Sequence, residues 1–283
     1  MTPRERLAAD LAAAGCRPLH RLGQNFMVDP AAVAALVSAL GPADGATVVE
    51  IGPGTGILTR ALLASELARL TAIDPDPRSI AALASLRAEA PGRLALIHGD
   101  ALDLDLATVG ERIVIVANLP YNIATELLLR WLARLDLIER MVLMFQREVA
   151  QRLVAAPGSA AYGRLGVLAQ RLCRVERLFD LSPGAFVPPP KVWSSVVRLT
   201  PRPDRPDAAR RARLEAVTRA AFGQRRKMLR GSLGALGVEP RALLAAAGID
   251  PQRRAETLDL DELDRLAEAL GRLSAASPGR GTV

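Results

Sequence analysis

Apolar residues in this chain come in short runs: "TVVEI" (47–51), "LTAID" (70–74), "LALIH" (94–98), "RIVIVAN" (112–118) and "MVLMF" (141–145). Each is of strand length and bounded by turn or helix signals. Two more strands are predicted at "CRVERLF" (173–179) and "WSSVVRL" (193–199). Between the runs lie segments of helical length, such as the amphipathic "IATELLLRWLARL" and the core-helix candidate "AAVAALVSAL". Such alternation predicts an α/β fold, a mostly parallel sheet with helices on both faces. Ligands then sit at the carboxyl ends of the strands.

Two stretches break the pattern. "SPGAFVPPPKVWSS" holds three successive prolines, which force an extended, stiff segment. "TPRPDRPDAAR" reads as a linker, and the residues after it contain helical patterns without a strand candidate. The chain therefore divides near residue 202, into an α/β domain (1–202) and a small all-helical domain (203–283) whose tail, "SAASPGRGTV", is expected to be disordered. The opening "MTPRERLAADLAAAG" carries charges within its apolar stripe, as an amphipathic helix does and a signal peptide does not. No apolar run approaches the roughly 18 residues of a membrane span, so no membrane partner is expected.

Composition narrows the chemistry. Of 283 residues, 50% are hydrophobic, enough for a buried core. There are only two cysteines, Cys16 and Cys173, and two histidines, His20 and His98. A disulfide framework is excluded and a cytoplasmic location expected. No metal site is expected, and a Ser-His-Asp site would have to use one of those two histidines. The net charge is +7, and residues 201–283 carry fifteen arginines and one lysine against eleven acids. That excess suits a polyanionic partner. A solvated surface in an arginine-rich chain, whose only lysines are Lys191 and Lys227, is the alternative.

"VVEIGPGTGILTRALL" is a strand, a glycine-rich turn and a helix. Gly52, Gly54 and Gly56 permit close backbone approach to a ligand. A dinucleotide fingerprint would place its third glycine where Ile57 stands. Pro53 removes an N–H, and Glu50 is expected to set negative charge beside the turn, repelling a diphosphate but not a ligand bearing an ammonium and a sulfonium. Asp74 ends the second strand, where an acid can accept from both ribose hydroxyls. Asp100 follows the third, placed to accept from an adenine amine. Both could instead be helix caps. Three acids at successive strand ends beside a glycine turn point to S-adenosylmethionine.

The fourth strand ends in "NLPYN". An adenine amine is a poor nucleophile, because its lone pair is delocalised into the ring. Two acceptors aimed at its hydrogens, the Asn118 side-chain oxygen and the Leu119 carbonyl, would favour the tetrahedral nitrogen that forms during attack. Pro120 fixes the backbone that aims this carbonyl. Tyr121 offers a face on which the base can stack. A plain Asn-capped, Pro-initiated helix would use Asn118 and Pro120 too, but leaves the tyrosine unexplained. Phe186 is the candidate for a second stacking face around an extruded base, with ordinary core packing as its alternative.

"LGQNFMVD", "EIGPGTGILT", "NLPYNIAT", "FVPPPKVWSSVVRL" and "FGQRRKMLRGSL", in that order, resemble the KsgA/RsmA type of rRNA adenine dimethyltransferase, from about Arg21 to Leu258. The resemblance implies a Rossmann-like class I methyltransferase domain with a helical domain. It implies transfer of methyl groups from S-adenosylmethionine to N6 of two adjacent adenines near the 3′ end of 16S rRNA, two on each. It also implies cofactor contacts at Asn25, Met27 (through its backbone), Gly52, Asp74, Asp100 and Asn118. Met27 stands where the family usually has leucine, Asp74 where it has glutamate, and "RRKMLR" where it has "RRKTLR". The shorter Asp74 would reach ribose less well. The substrate implied is a pre-assembled small (30S) subunit, with a part in its biogenesis. Arg225, Arg226, Lys227 and Arg230 are the candidate phosphate contacts, and a monomer is expected. Three other readings remain: a large-subunit rRNA adenine methyltransferase, whose motif more often reads Asn-Ile-Pro-Tyr; a DNA adenine methyltransferase, which would carry Asp-Pro-Pro-Tyr; and a mainly non-catalytic assembly factor.

Overall fold

The computed structural model describes residues 24–43, 45–65 and 69–276. The amphipathic opening stretch, Cys16, His20 and residues 277–283 lie outside the described residues. The first elements are β1 (Phe26–Met27), α1 (Pro30–Leu40), β2 (Thr47–Ile51), α2 (Ile57–Ala64), β3 (Arg69–Asp74), α3 (Pro77–Ala82), α4 (Ala84–Glu89), β4 (Leu94–His98), β5 (Ile113–Asn118) and α5 (Ala124–Leu132). Then come β6 (Ile138–Gln146), α6 (Arg147–Leu153), α7 (Arg164–Leu172), β7 (Cys173–Leu181), β8 (Phe186–Val187), β9 (Ser194–Pro201), α8 (Ala208–Gly223), α9 (Leu229–Ser232), α10 (Pro240–Ala247) and α11 (Leu260–Ala276). All seven predicted strands form. The helix α11 runs through Ala276, three residues into the stretch expected to be disordered. Among the described residues no helix is long and apolar enough to cross a membrane.

The strands build one sheet in the order β4-β3-β2-β5-β6-β9-β7, with β4 to β6 parallel and β9 antiparallel to β6. Alternate residues of a strand face opposite sides of a sheet. On one side, Val48, Leu70, Val114 and Val142 join Leu36 of α1 and Leu62 of α2 in a single apolar cluster. On the other, Val49 and Ile115 are equally buried. Burial on both faces is why these strands read as near-continuous apolar runs. β1 and β8 pair separately, with Met27 opposite Phe186.

The chain divides into two compact units, but not at residue 202 alone. The first holds the described residues to Ala150 together with Val175–Pro201; the second holds Gln151–Arg174 and the described residues from Arg202 on. Residues 151–174, assigned above to the α/β domain, belong with the C-terminal helices, to which an ion pair and an aromatic contact tie them. Arg171 Nε lies 2.5 Å from Asp264 of α11, and Tyr162 meets Phe222 of α8 edge-on at 5.9 Å. The long helical pattern after residue 208 is also interrupted. α8 stops at Gly223, a weak helix former, and residues 224–227 form a turn before α9.

Glu50 sits on β2, 1% exposed, and accepts a 2.7 Å hydrogen bond from Thr59 Oγ1. Burial raises its pKa from 4.5 to about 8, a shift to which Asp74 adds. The carboxyl is therefore mostly protonated at neutral pH, which corrects the expectation that it charges the turn. Between pH 4.5 and 8 the folded chain keeps this proton and the unfolded chain loses it. The stability this group contributes is complete below that window and lost as pH rises through it. Replacing Glu50→Gln removes the titration and keeps an acceptor for Thr59. Urea melts should show the parent losing stability relative to this variant from pH 5 to pH 8, by on the order of a few kcal/mol. A difference that stays constant with pH would show that Glu50 ionises freely.

Candidate active site

The strand register sets the site's chemistry at one level of the sheet. Ile51 of β2 lies opposite Ile73 of β3 and Ala117 of β5, so Gly52, Asp74 and Asn118 follow on adjacent parallel strands. Asp74 lies opposite His98, two residues before Asp100. Gly52, Asp74, Asp100 and Asn118 line one pocket of about 210 Å³, together with Asn25, Leu119 and Pro120. Gln24, Phe26, Pro75, Ala101, Asn122 and Ile123 also line it. Of these additional residues, Gln24 and Phe26 flank Asn25 in "GQNF" and so carried a signal in the sequence.

Gly52 has a φ of +67° and nothing within 4 Å of where a Cβ would stand, so a ligand can approach its backbone. Gly54 serves a different end: a Cβ there would meet the Phe26 ring at 2.7 Å. Its N–H donates to Asp74 Oδ2 at 3.3 Å, while Asp74 Oδ1 accepts from the Asp76 N–H at 2.8 Å. Burial pushes the Asp74 pKa up, against the pull of these bonds. The helix cap is not Asp74 but Asp76, which accepts from the Arg78 N–H at 3.0 Å and pairs with the Arg78 guanidinium at 2.6 Å. Arg78 holds the Asp76 pKa down at about 2. Asp100 caps no helix: it lines the pocket, and its Oδ1 accepts from the Leu102 N–H at 2.9 Å within a turn.

Asn118 donates from Nδ2 to the Asn25 carbonyl at 2.8 Å. A carbonyl only accepts, so this bond identifies the amide nitrogen and leaves Oδ1 as the other end. Asn118 does not cap a helix: α5 starts at Ala124 after Ile123, without a side-chain cap, and the Pro120 carbonyl takes the Ile123 and Ala124 N–H groups. Among the described residues no donor reaches the Leu119 carbonyl. Tyr121 is half-buried, and its hydroxyl lies 2.6 Å from Ser194 Oγ. Burial raises its pKa, so the phenol stays neutral. Ser194, fully buried at the start of β9 opposite Gln146, was not anticipated. A serine inside an apolar strand was the available signal.

Two expectations are corrected. Phe186 does not line the pocket; it is 0% exposed and packs in the apolar cluster, because the pairing of β8 with β1 sets it opposite Met27. Core packing accounts for it. Met27 lies in the same cluster and does not line the pocket, whereas Asn25 and Phe26 do. In the helical unit the basic residues occupy the turn after α8 and the start of α9. Arg225 is committed to the carbonyls of Ala160 and Tyr162, at 3.0 and 2.9 Å. Arg226, Lys227 and Arg230 are exposed and form no ion pair with any described residue. Burial pushes the Cys173 thiol up to about 12, which disqualifies it as a nucleophile. No group of three His, Cys, Asp or Glu among the described residues could hold a metal ion.

Known proteins share these features. The sequence model of the ribosomal RNA adenine dimethylases matches residues 19–271. A ribosomal RNA small subunit methyltransferase A from Rhodopseudomonas palustris (strain TIE-1) is 56% identical over 254 residues, 88% of either chain. A dimethyladenosine transferase from Plasmodium falciparum has the same fold, with a TM-score of 0.75 and 24% identity over 88% of this chain and 98% of its own. The 23S rRNA methyltransferase ErmE superposes with a TM-score of 0.67 and 25% identity, over 87% of this chain and all of its own. With its motifs in order along nearly its whole length and its acceptors gathered in one pocket, the chain belongs to the ribosomal RNA adenine dimethylase family.

Proposed function

We propose that this chain transfers methyl groups from S-adenosylmethionine to N6 of two adjacent adenosines near the 3′ end of 16S rRNA, within the small ribosomal subunit, dimethylating each. The observation that carries this reading is the meeting of two kinds of group in one pocket. Gly52, Asp74 and Asp100 form one end, while Asn118 and the Leu119 carbonyl form the other. The name of the Rhodopseudomonas relative favours the small subunit; the 23S enzyme is the more distant likeness.

The residues present fit the cofactor. Gly52 leaves room beside its backbone, and Asp74, which accepts from Gly54, Asp76 and Ser79, keeps a lone pair for a ribose hydroxyl. Asp100 has its second oxygen for an adenine amine. S-adenosylmethionine supplies a methyl group made electrophilic by its sulfonium. Asn118 Oδ1 and the Leu119 carbonyl accept the two N–H hydrogens of the target amine. Holding both draws the nitrogen lone pair out of conjugation and turns it outward for attack. No general base is required, because the nitrogen becomes strongly acidic once the new N–C bond has formed, and its proton then leaves to solvent. One N–H remains after the first transfer, and either acceptor can hold it for the second. Pro120 contributes stiffness at the carbonyl. Tyr121 stacks on the base, and Ser194 holds its hydroxyl so that the ring keeps one orientation.

Mass spectrometry of 16S rRNA from cells with and without this protein tests the reaction. Paired adenines should lack dimethylation only when the protein is missing; their persistence in its absence would overturn the assignment. Tyr121→Ala should slow methylation of unmodified small subunits about 5- to 140-fold, from a stacking contribution of roughly 1–3 kcal/mol. Cofactor affinity should stay within twofold; equal losses of both would end the stacking role. Ser194→Ala should cost a smaller factor, and nothing further in a Tyr121→Phe background, where the hydroxyl is already gone. Additive losses would show that Ser194 acts elsewhere. Reversing charge at Arg226 and Lys227 together should weaken subunit binding and flatten its salt dependence by about one unit of slope for each phosphate no longer neutralised. Cofactor binding should not change, and an unaltered salt slope would remove these residues from the docking surface.

A further inference from the structure

Few large apolar side chains are exposed among the described residues, and two of them are neighbours, Val192 at 43% and Trp193 at 47%. They stand on the stiff proline-led segment between β8 and β9. Its far end is tied down: the Trp193 carbonyl accepts the Arg147 N–H at 2.9 Å, continuing the β6–β9 ladder by one rung. The next residue is Ser194, whose Oγ lies 2.6 Å from the Tyr121 hydroxyl. An exposed indole is thus fixed one residue away from the group that holds the base-stacking ring. Cations surround it in sequence and on the ladder. Lys191 is exposed two positions earlier. Arg147, 48% exposed, shares Asp180 with Arg177, so two guanidiniums face one carboxylate.

We propose that Trp193 is a stacking platform for an unpaired nucleobase that flanks the adenosine being methylated. This rests on the function proposed above. Neighbouring residues of a strand point to opposite faces, and the ladder extends to Trp193. Ser194 turns toward Tyr121, so the indole turns away from it. The two rings cannot sandwich one base, and they suit two bases of a single strand. An adenosine extruded into the pocket leaves its neighbour unstacked. An aromatic face restores that contact without regard to sequence, while Lys191 and Arg147 meet the phosphates alongside. The occupant is therefore single-stranded RNA, not an apolar protein face, which would leave Lys191 without a counter-charge and Arg147 and Arg177 with one carboxylate between them.

Fluorescence reads the platform directly. The chain has two tryptophans, and the other, Trp131, is 4% exposed. Titration with a short single-stranded oligoriboadenylate should quench the exposed indole, less so as salt rises, and Trp193→Phe should abolish the quenching. Fluorescence unchanged by the oligonucleotide would overturn the proposal. In methylation of unmodified small subunits, Trp193→Ala should raise KM about tenfold with kcat within twofold, as expected from losing one stacked base. Trp193→Phe should restore most of the loss, and cofactor affinity should be the same in all three proteins. A KM for Trp193→Ala within twofold of the parent, or a phenylalanine variant as poor as the alanine one, would also overturn it. A parent protein that left the subunits unmethylated would sink the proposed reaction instead, and the quenching experiment would still decide on the platform.

Discussion

The hydrogen bond from Asn118 Nδ2 to the Asn25 carbonyl is the constraint on which the site depends. It joins residues 93 positions apart. By consuming the amide nitrogen it decides which end of Asn118 remains for a substrate amine. It also draws the segment before α1 across the end of β5, with two consequences for the pocket. Gln24 and Asn25 become part of its wall, and Phe26 comes to rest where only a glycine at position 54 leaves room. A half-buried carbonyl deprived of this donor would cost roughly 1–3 kcal/mol. The larger loss would be orientation, since a freely rotating amide presents a donor as often as an acceptor.

Selectivity for the kind of ligand follows from where the loop's N–H groups go. Gly52 donates to the Ile73 carbonyl, Gly54 to Asp74 and Gly56 to the Pro53 carbonyl, and Pro53 has none to give. A phosphate cradle needs such groups free. The turn is ill suited to a diphosphate because its three glycine donors are already committed, and not because Glu50 is charged, since burial keeps that carboxyl mostly protonated. The acids beyond it are graded by environment. Asp76 is held ionised by Arg78, Asp74 is buried yet satisfied by backbone N–H groups, and Asp100 stands in the open. Buried negative charge is thereby paired with a guanidinium at Asp76 and withheld from the sheet interior at Glu50, where its desolvation would be costly.

What could be read in the sequence was what depends on neighbours along the chain. The strands were legible because both faces of the sheet are buried, so apolar and polar positions need not alternate and runs such as 113–117 are wholly apolar. Asn118 and Leu119 were legible because they are consecutive at a strand end. Phe186 and Met27 were misread because their surroundings come from each other, across 159 positions of chain. Ser194 is a partner of Tyr121 through a bond that no local pattern encodes. The same limit applies to residues 151–174: Arg171 belongs with Asp264, and only the folded chain brings them together. At Glu50 the residue type was plain, but its charge state is set by burial.

This division between local chemistry and distant support also bears on how the family motif works. The proposed acceptors, the stiff proline and the proposed stacking ring occupy four consecutive positions, 118–121. Their orientations come from Asn25 on one side and Ser194 on the other, 93 and 73 residues away. Asn25 precedes β1 and Ser194 opens β9, and β1 is joined to the segment leading to β9 through its pairing with β8. Asn25 therefore rests on the small β1–β8 pairing and Ser194 on the main sheet, opposite Gln146 of β6, so a displacement of β1 against β8 would disturb the support of the proposed amine acceptor while Tyr121 keeps its partner. Methyl transfer by positioning alone tolerates little such movement. That requirement gives the two-rung pairing of β1 with β8 a value far beyond the few hydrogen bonds it contributes to stability.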